Sequence, residues 1–171
     1  MSATAIAGDW KFLPVLDSSY KPDMAVFIAG GSLTPSNSGS TSGGYAGAEF
    51  DFNCLIMQPP TGIIRSKISY GQFNQNGLML SSIEVNPRWT VDVQKDLSVG
   101  IGPGVGYVRA DTNGQSTSLA ALQIGGDLDY RVGMIDLGLG ARWQYTANKE
   151  IAPGVTGANN FLIQAKVGIS F

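Results

Sequence analysis

The segment NFLIQAKVGISF, residues 160–171, decides the reading of this chain. Phe161, Ile163, Ala165, Val167, Ile169 and Phe171 share one parity, and Leu162, Gln164, Lys166, Gly168 and Ser170 share the other. Side chains alternate faces along a β-strand, so this segment predicts a strand with one apolar and one mostly polar face. If other segments repeat the pattern, the chain is a stack of such strands, and the question becomes which face is inside.

Seven further segments repeat it. Strand one is expected from about Asp23 to Gly31, with apolar residues on both parities and therefore ambiguous faces. Strand two, Tyr45 to Ile56, sets Ala46, Ala48, Phe50, Phe52, Cys54 and Ile56 against Glu49, Asp51 and Asn53. Strand three, Ile63 to Phe73, sets Ile64, Ile68 and Tyr70 against Arg65, Lys67 and Ser69. Strand four ends near Trp89 and sets Ser81, Ile83, Val85, Pro87 and Trp89 against Ser82, Glu84, Asn86 and Arg88. Pro87 lacks an N–H, so it is expected near the rim or at a bulge. Strand six, about Ser118 to Val132, sets Ala120, Leu122, Ile124, Leu128 and Tyr130 against Gln123, Asp127, Asp129 and Arg131. Strand seven, Asp136 to Thr146, sets Leu137, Leu139, Ala141, Trp143 and Tyr145 against Gly138, Gly140, Arg142, Gln144 and Thr146. Residues 1–22, broken by Pro14 and Pro22, read as an N-terminal arm ahead of a domain spanning 23–171.

Strand five, LSVGIGPGVGYVR over residues 97–109, places Gly100, Gly102, Gly104 and Gly106 on one face, leaving room for large side chains from other strands. These glycines imitate a nucleotide-binding turn, but no helix pattern follows and the period stays at two. This glycine-rich strand, the alternation over residues 23–171 and the terminal Phe171 together resemble the small bacterial outer-membrane β-barrel superfamily of OmpX- and OmpW-type proteins. The resemblance implies an all-β fold, an eight-stranded antiparallel up-and-down transmembrane β-barrel. It also implies a C-terminal strand read by the outer-membrane insertion machinery, and a place in the bacterial outer membrane. Residues 1–8 lack the basic start and apolar core of a signal peptide, so the chain is taken as a mature form carrying an added Met1.

Composition agrees. Charged residues make up 14% of the 171 residues, well below the usual quarter, and 23 are glycine. The formal net charge of −2 gives no basic footprint for nucleic acid. No apolar run reaches the roughly 18 residues of a membrane helix, but a barrel strand needs only about 9–11. The lone Cys54 cannot form an internal disulfide and reads as a small lipid-facing or buried residue.

Two patterns orient the faces. Connections expected at Ser32–Gly44, Ala110–Thr117 and Ala147–Asn159 are long, with a short exception at Asn74–Gly77; those at Met57–Gly62, Val91–Asp96 and Gly133–Ile135 are short. Long external loops and short periplasmic turns characterise outer-membrane barrels. Outward aromatic residues would form two girdles, Trp89, Tyr130 and Phe171 at the short-turn end and Tyr70, Tyr107, Trp143, Tyr145 and Phe161 at the other. The inward parity then collects Glu49, Asp51, Arg65, Lys67, Glu84, Arg88, Asp127, Asp129, Arg131, Arg142 and Lys166. Charges confined in a narrow tube must pair, and eight strands leave an interior that side chains can fill. The expectation is a polar, plugged lumen with no apolar part.

Function follows only in outline. The chain has no histidine, so Ser-His-Asp chemistry is excluded and no Cys/His metal site is expected. Glu49 with Asp51, and Asp127 with Asp129, read as members of ion pairs rather than catalytic acids. The leading reading is not an enzyme and has no cofactor. It is a membrane barrel with a structural or surface-interaction role, whose partners are the lipid bilayer and a surface partner reached through the external loops. One alternative is a narrow porin-like channel or transporter for ions or small amphipathic solutes. A second is a soluble lipocalin-like ligand-binding barrel, which would place the apolar parity inside.

Overall fold

The computed structural model describes residues 9–36, 41–112 and 114–171; the reading of residues 1–8 lies outside them. Eight strands form the barrel, β1 Ala25–Pro35, β2 Gly43–Asn53, β3 Ile63–Gln75, β4 Leu78–Gln94, β5 Leu97–Thr112, β6 Gln115–Val132, β7 Ile135–Thr146 and β8 Asn160–Ser170. Each pairs antiparallel with its neighbour in sequence. β8 returns to β1, with Ser170 beside Ala25 and Asn160 beside Pro35, and the sheet closes. Among the described residues no helix is long and apolar enough to cross a membrane.

The faces follow the parity read from the sequence. Ile83, Val105, Leu122, Leu139, Ile163 and Ile169 are exposed on the outer wall, while Glu49, Lys67, Glu84, Arg88, Asp127 and Lys166 are buried inside. A soluble ligand-binding barrel has the opposite arrangement, so that reading is set aside. The ambiguous first strand resolves on the same principle: Val26 and Ile28 point out, Ala25 and Phe27 point in. Phe27 fits because its partner across the β8–β1 pair is Gly168, where a Cβ would press on the Phe27 ring.

Several expectations need correction. β3 and β4 are joined by Asn76–Gly77 alone, and β5 runs on to Thr112 and β6 starts at Gln115, inside the connection expected at Ala110–Thr117. The strands run on where loops were expected. β6 pairs with β7 only from Ala121 downward, so Gln115–Ala120 run past the end of β7, while the facing end of β5 stays paired with β4 as far as Thr112 beside Leu78. Polar residues such as Ser116 and Thr117 mimic a loop in composition, but their alternation with Leu119 and Ala121 keeps the strand going. The connection after β2, residues 54–62, is longer than expected because Met57–Gln58 pairs with Lys11–Phe12 of the N-terminal arm. Cys54 is buried, one of the two readings expected for it, but lies in that connection and not on the strand.

Pro87 lies at neither a rim nor a bulge. The β4–β5 register runs from Val85 beside Val105 to Trp89 beside Ile101, which sets Pro87 opposite Pro103 in mid-strand. Neither residue has an N–H to donate, and the ladder is interrupted between those two pairs.

Tyr45 shows how glycine positions the interior. It points inward from β2 and lies over Gly71 of β3, where a Cβ would collide with the phenol ring. Gly71→Val is expected to displace the ring and destabilise the barrel by about 1–3 kcal/mol. The urea midpoint of protein refolded in detergent micelles measures this. Gly71→Val should cost far less when Tyr45 is already alanine.

Candidate functional site

The inward parities converge on one interior, which is layered along the barrel axis. At the short-turn end an open vestibule of about 630 Å³ is lined by Asp23, Asp51, Arg65, Asp129, Arg131 and Asp136, among others. Arg65 Nη1 donates to Asp23 Oδ2 at 2.6 Å and its Nε lies 3.2 Å from Asp51. Arg131 bridges Asp23 at 2.9 Å and Asp136 at 2.7 Å.

Above the vestibule lie two buried lysines. Lys67 Nζ is 3.1 Å from Asp129, 3.2 Å from Asp51 and 3.5 Å from Glu49. Lys166 Nζ is 2.9 Å from both Glu49 and Asp127, and Arg88 Nε is 3.0 Å from the other oxygen of Asp127. The Phe27 ring sits between the lysines, 5.3 Å from Lys166 Nζ and 6.0 Å from Lys67 Nζ. Space for these long side chains comes from glycine: a Cβ on Gly138 would meet Lys166 and Asp129. The sequence alternates large charged residues with glycine on facing strands because the tube cannot hold both at one level.

A layer of amides follows. Glu84 accepts from Arg142 Nη1 at 2.5 Å, Gln123 Nε2 at 2.9 Å and Gln144 Nε2 at 3.0 Å. Gln123 also donates to Asn86, and Asn160 donates to Gln144 Oε1 at 2.8 Å. Between the charged and amide layers the remaining space is about 20 Å³, room for a single water molecule.

The external third of the interior is apolar, contrary to the expectation of a wholly polar lumen. Leu33, Tyr45, Phe73, Leu80, Leu119 and Leu162 belong to one buried cluster. The connection between β7 and β8 folds over it. Ile151 enters the cluster from a small hairpin, Glu150–Ala152 paired with Val155–Thr156, and Ala158 joins it. Asn159 Oδ1 accepts from the Thr146 backbone N–H at 2.8 Å, and Thr146 Oγ1 accepts from the Ala158 N–H at 2.7 Å. These bonds fasten the connection to the top of β7.

All eleven charged residues expected inside therefore meet in the interior, though not in one chain of contacts. Glu84 and Arg142 pair with each other, one layer away from the rest. The sequence does not single out Asp23 and Asp136, because the faces of the strand expected to begin at Asp23 are ambiguous and Asp136 opens the strand expected after it. The amides Asn86, Gln123, Gln144 and Asn160 were missed because only charged positions were collected. The apolar cluster had a readable signal: the inward parity of β4 changes from Glu84 and Ser82 to Leu80 and Leu78, and that of β8 from Lys166 and Gln164 to Leu162.

Arg88 has a second task. Its Nη1 donates to the carbonyls of Gly102 at 2.8 Å, Pro103 at 3.0 Å and Pro87 at 3.3 Å. The facing prolines leave carbonyls without ladder donors, and the guanidinium supplies the donors from inside.

Outside, all eight aromatic residues expected in girdles are exposed on the outer wall. Tyr130 and Tyr145 mark its two ends. The strand from Tyr130 to Leu122, the partner of Tyr145, measures roughly 27 Å at about 3.4 Å per residue, or about 20 Å of height at a tilt of roughly 40°. Trp143 and Phe161 face each other across β7–β8 with ring centroids 6.4 Å apart.

No protein-family model and no curated protein matches the chain. Solved structures do resemble it. Neisserial surface protein A is 18% identical, with a TM-score of 0.66 over 86% of this chain and 97% of that one. The N-terminal β-barrel domain of Pseudomonas aeruginosa OprF is 13% identical, with a TM-score of 0.56 over 88% of this chain and all of that one. Ail, the attachment invasion locus protein of Yersinia pestis, is 12% identical, with a TM-score of 0.51 over 88% of this chain and all of that one. The fold is thus that of the small outer-membrane barrels, an eight-stranded transmembrane β-barrel.

Three substitutions probe the interior. Lys67→Met removes one of the cations serving Glu49, Asp51 and Asp129, leaving Lys166 and Arg65 to hold the three acids, and is expected to cost about 3–5 kcal/mol, read as a lower urea midpoint. Arg88→Lys keeps the charge beside Asp127 but loses the forked donors, and a loss of about 1–3 kcal/mol is expected. Asp23 lies outside the strands. Burial pushes its carboxyl up, but Arg65 and Arg131 outweigh that and hold it below the usual carboxylate range. Its stabilising contribution is therefore present above the ordinary carboxylate pKa and lost as pH falls through the lowered one. Asp23→Asn should make the urea midpoint fall less steeply on acidification through that window.

Proposed function

We propose that this chain is an outer-membrane barrel protein of Gram-negative bacteria with a closed interior, acting as a structural or surface-interaction protein and not as a pore. The observation that carries the closed interior is the layering. Ion pairs, then amides, then an apolar cluster fill the tube in succession, and Ile151 covers the external end. An ion entering from the vestibule would have to break buried pairs and then cross apolar side chains without water. Each step costs several kcal/mol.

The surface role rests on the external end. The Gln115–Ala120 end of β6 projects past the end of β7, and the β7–β8 connection leans on it. Thr117 Oγ1 donates to the Glu150 carbonyl at 3.1 Å, and Lys149 Nζ donates to the Ser118 carbonyl at 3.4 Å. A projection braced in this way is a platform for a partner at the cell surface. The names of two of the similar barrels, a surface protein and an attachment protein, agree with that use. The lipid bilayer would contact the exposed apolar wall, and the alternating terminal strand would be read by the insertion machinery.

Two measurements test the proposal. Unboiled protein refolded in detergent should migrate differently from boiled protein, and the shift should require detergent. In planar bilayers the wild type should show no steady conductance, whereas Arg65→Ala with Arg142→Ala should either conduct or unfold at lower urea. Steady wild-type conductance would make the channel reading the correct one.

A further inference from the structure

The N-terminal arm carries a second apolar surface. Trp10, Phe12, Leu13, Val15 and Leu16 are exposed, with Phe12 at 74% and Leu16 at 80%, more open than the wall residues Leu122 and Ile83. The arm is nevertheless held in place. Leu13 N donates to the Ile56 carbonyl at 2.6 Å, Lys11 and Phe12 pair with Gln58 and Met57, and Tyr20 Oη donates to the Asn53 carbonyl at 2.6 Å. The connection beneath it adds Leu55, Ile56 and Met57, also exposed. Fully covering a side chain of this size is worth about 1.5–3 kcal/mol, so a fixed segment that exposes several of them is built to meet an apolar phase.

Its position names that phase. The connection follows directly on Asn53 of β2, next to Phe52, and leads into Ile63 and Ile64 of β3. Its Thr61 carbonyl accepts from Trp89 Nε1 at 2.9 Å, and Trp89 is an outward aromatic at the short-turn end of the wall. The arm's apolar surface thus continues the lipid-facing belt at the level where aromatic rings favour the headgroup boundary. Its charges cancel, with Lys11 and Lys21 offset by Asp9 and Asp17, so attraction to anionic headgroups is not its driving force.

We propose that residues 9–16, together with Leu55–Met57, form an interfacial anchor lying in the headgroup region of the periplasmic leaflet. The inference rests on the barrel reading above, because the occupant is the bilayer that the barrel already spans. The anchor would fix the depth of the barrel and hold the arm aside from the vestibule mouth. Binding of this kind scales with buried apolar area and is insensitive to salt.

The chain has three tryptophans, which permits a direct test. Trp89→Phe with Trp143→Phe leaves Trp10 as the single fluorophore; Trp10→Phe with Trp89→Phe leaves Trp143 as a reporter on the barrel wall. Both proteins are reconstituted into phosphatidylcholine vesicles whose acyl chains are brominated close to the carbonyl. The expected result is quenching of Trp10 to an extent comparable with Trp143, unchanged by high salt. Phe12→Ser with Leu16→Ser should remove the Trp10 quenching and leave that of Trp143 intact. As a check that retains the Trp89–Thr61 bond, Trp10→Phe alone should remove one bromolipid-quenched component from the wild-type emission. Quenching of Trp143 without quenching of Trp10 would overturn the anchor and leave the barrel reading standing. Shielding of Trp10 only on addition of a periplasmic extract would overturn the anchor in favour of a protein partner. If neither tryptophan is quenched, the membrane barrel reading itself fails, and the anchor with it.

Discussion

Closure of the β8–β1 pair is the constraint on which the rest depends. In hydrocarbon there is no water to satisfy an unpaired N–H or C=O, so an open sheet edge is not tolerated. Pairing Ala25 through Pro35 with Ser170 through Asn160 removes both edges at once. Closure also divides the side chains into two sets with no third option. Every outward position faces away from the tube, and every inward position shares a space too narrow to be left empty. The apolar outer wall and the crowded interior are therefore two consequences of one backbone requirement.

The interior answers that crowding in two ways. Where the strands carry charge, glycine on a facing strand provides space, as Gly138 does for Lys166, and opposite charges share the space so provided. Buried ion pairs of this kind add little net stability against an apolar filling, because desolvation offsets their attraction. Their value lies in register. A slip by one residue would turn Lys67, Lys166 and Arg88 toward lipid, so the network penalises every pairing but one. Arg88 extends the argument from side chains to backbone. Facing prolines would leave carbonyls unpaired in the wall, and one guanidinium serves both those carbonyls and Asp127.

Parity made most of this legible. The alternation in Asn160–Ser170, Ile135–Thr146 and Gly43–Asn53 depends only on a two-residue period, and a closed barrel imposes that period without exception. What parity could not supply was length and level. Ser116 and Thr117 look like loop residues but lie on the end of β6 that runs past β7, Ser116 facing out and Thr117 turned toward the Glu150 carbonyl. Strand one was ambiguous because Phe27 is apolar and inward, which makes sense only beside Gly168, a partner distant in sequence. The place of Pro87 depended on Pro103 in the next strand, and neither signals it alone. The change from charged to apolar residues along the inward faces was readable in Glu84, Ser82 and Leu80, but it becomes a feature only when several strands change at the same height.

That change of level gives the interior a direction. The short-turn end is open, charged and wettable, whereas the external end is dry and roofed by part of the chain itself. Ion pairs alone would make a poor seal, since water can solvate them one at a time and loosen the set. An apolar cluster has nothing to offer an entering water molecule, so it protects the pairs beneath it from the outside. The pairs in turn fix the strand positions that bring Leu33, Leu80, Leu119 and Leu162 to one height. The Ile151 connection is not held in the wall, and its bonds through Asn159 and Thr146 return it to the strand that carries Arg142. Roof, seal and network are thus coupled through β7, and a change in the surface connection would reach the buried charges by that strand.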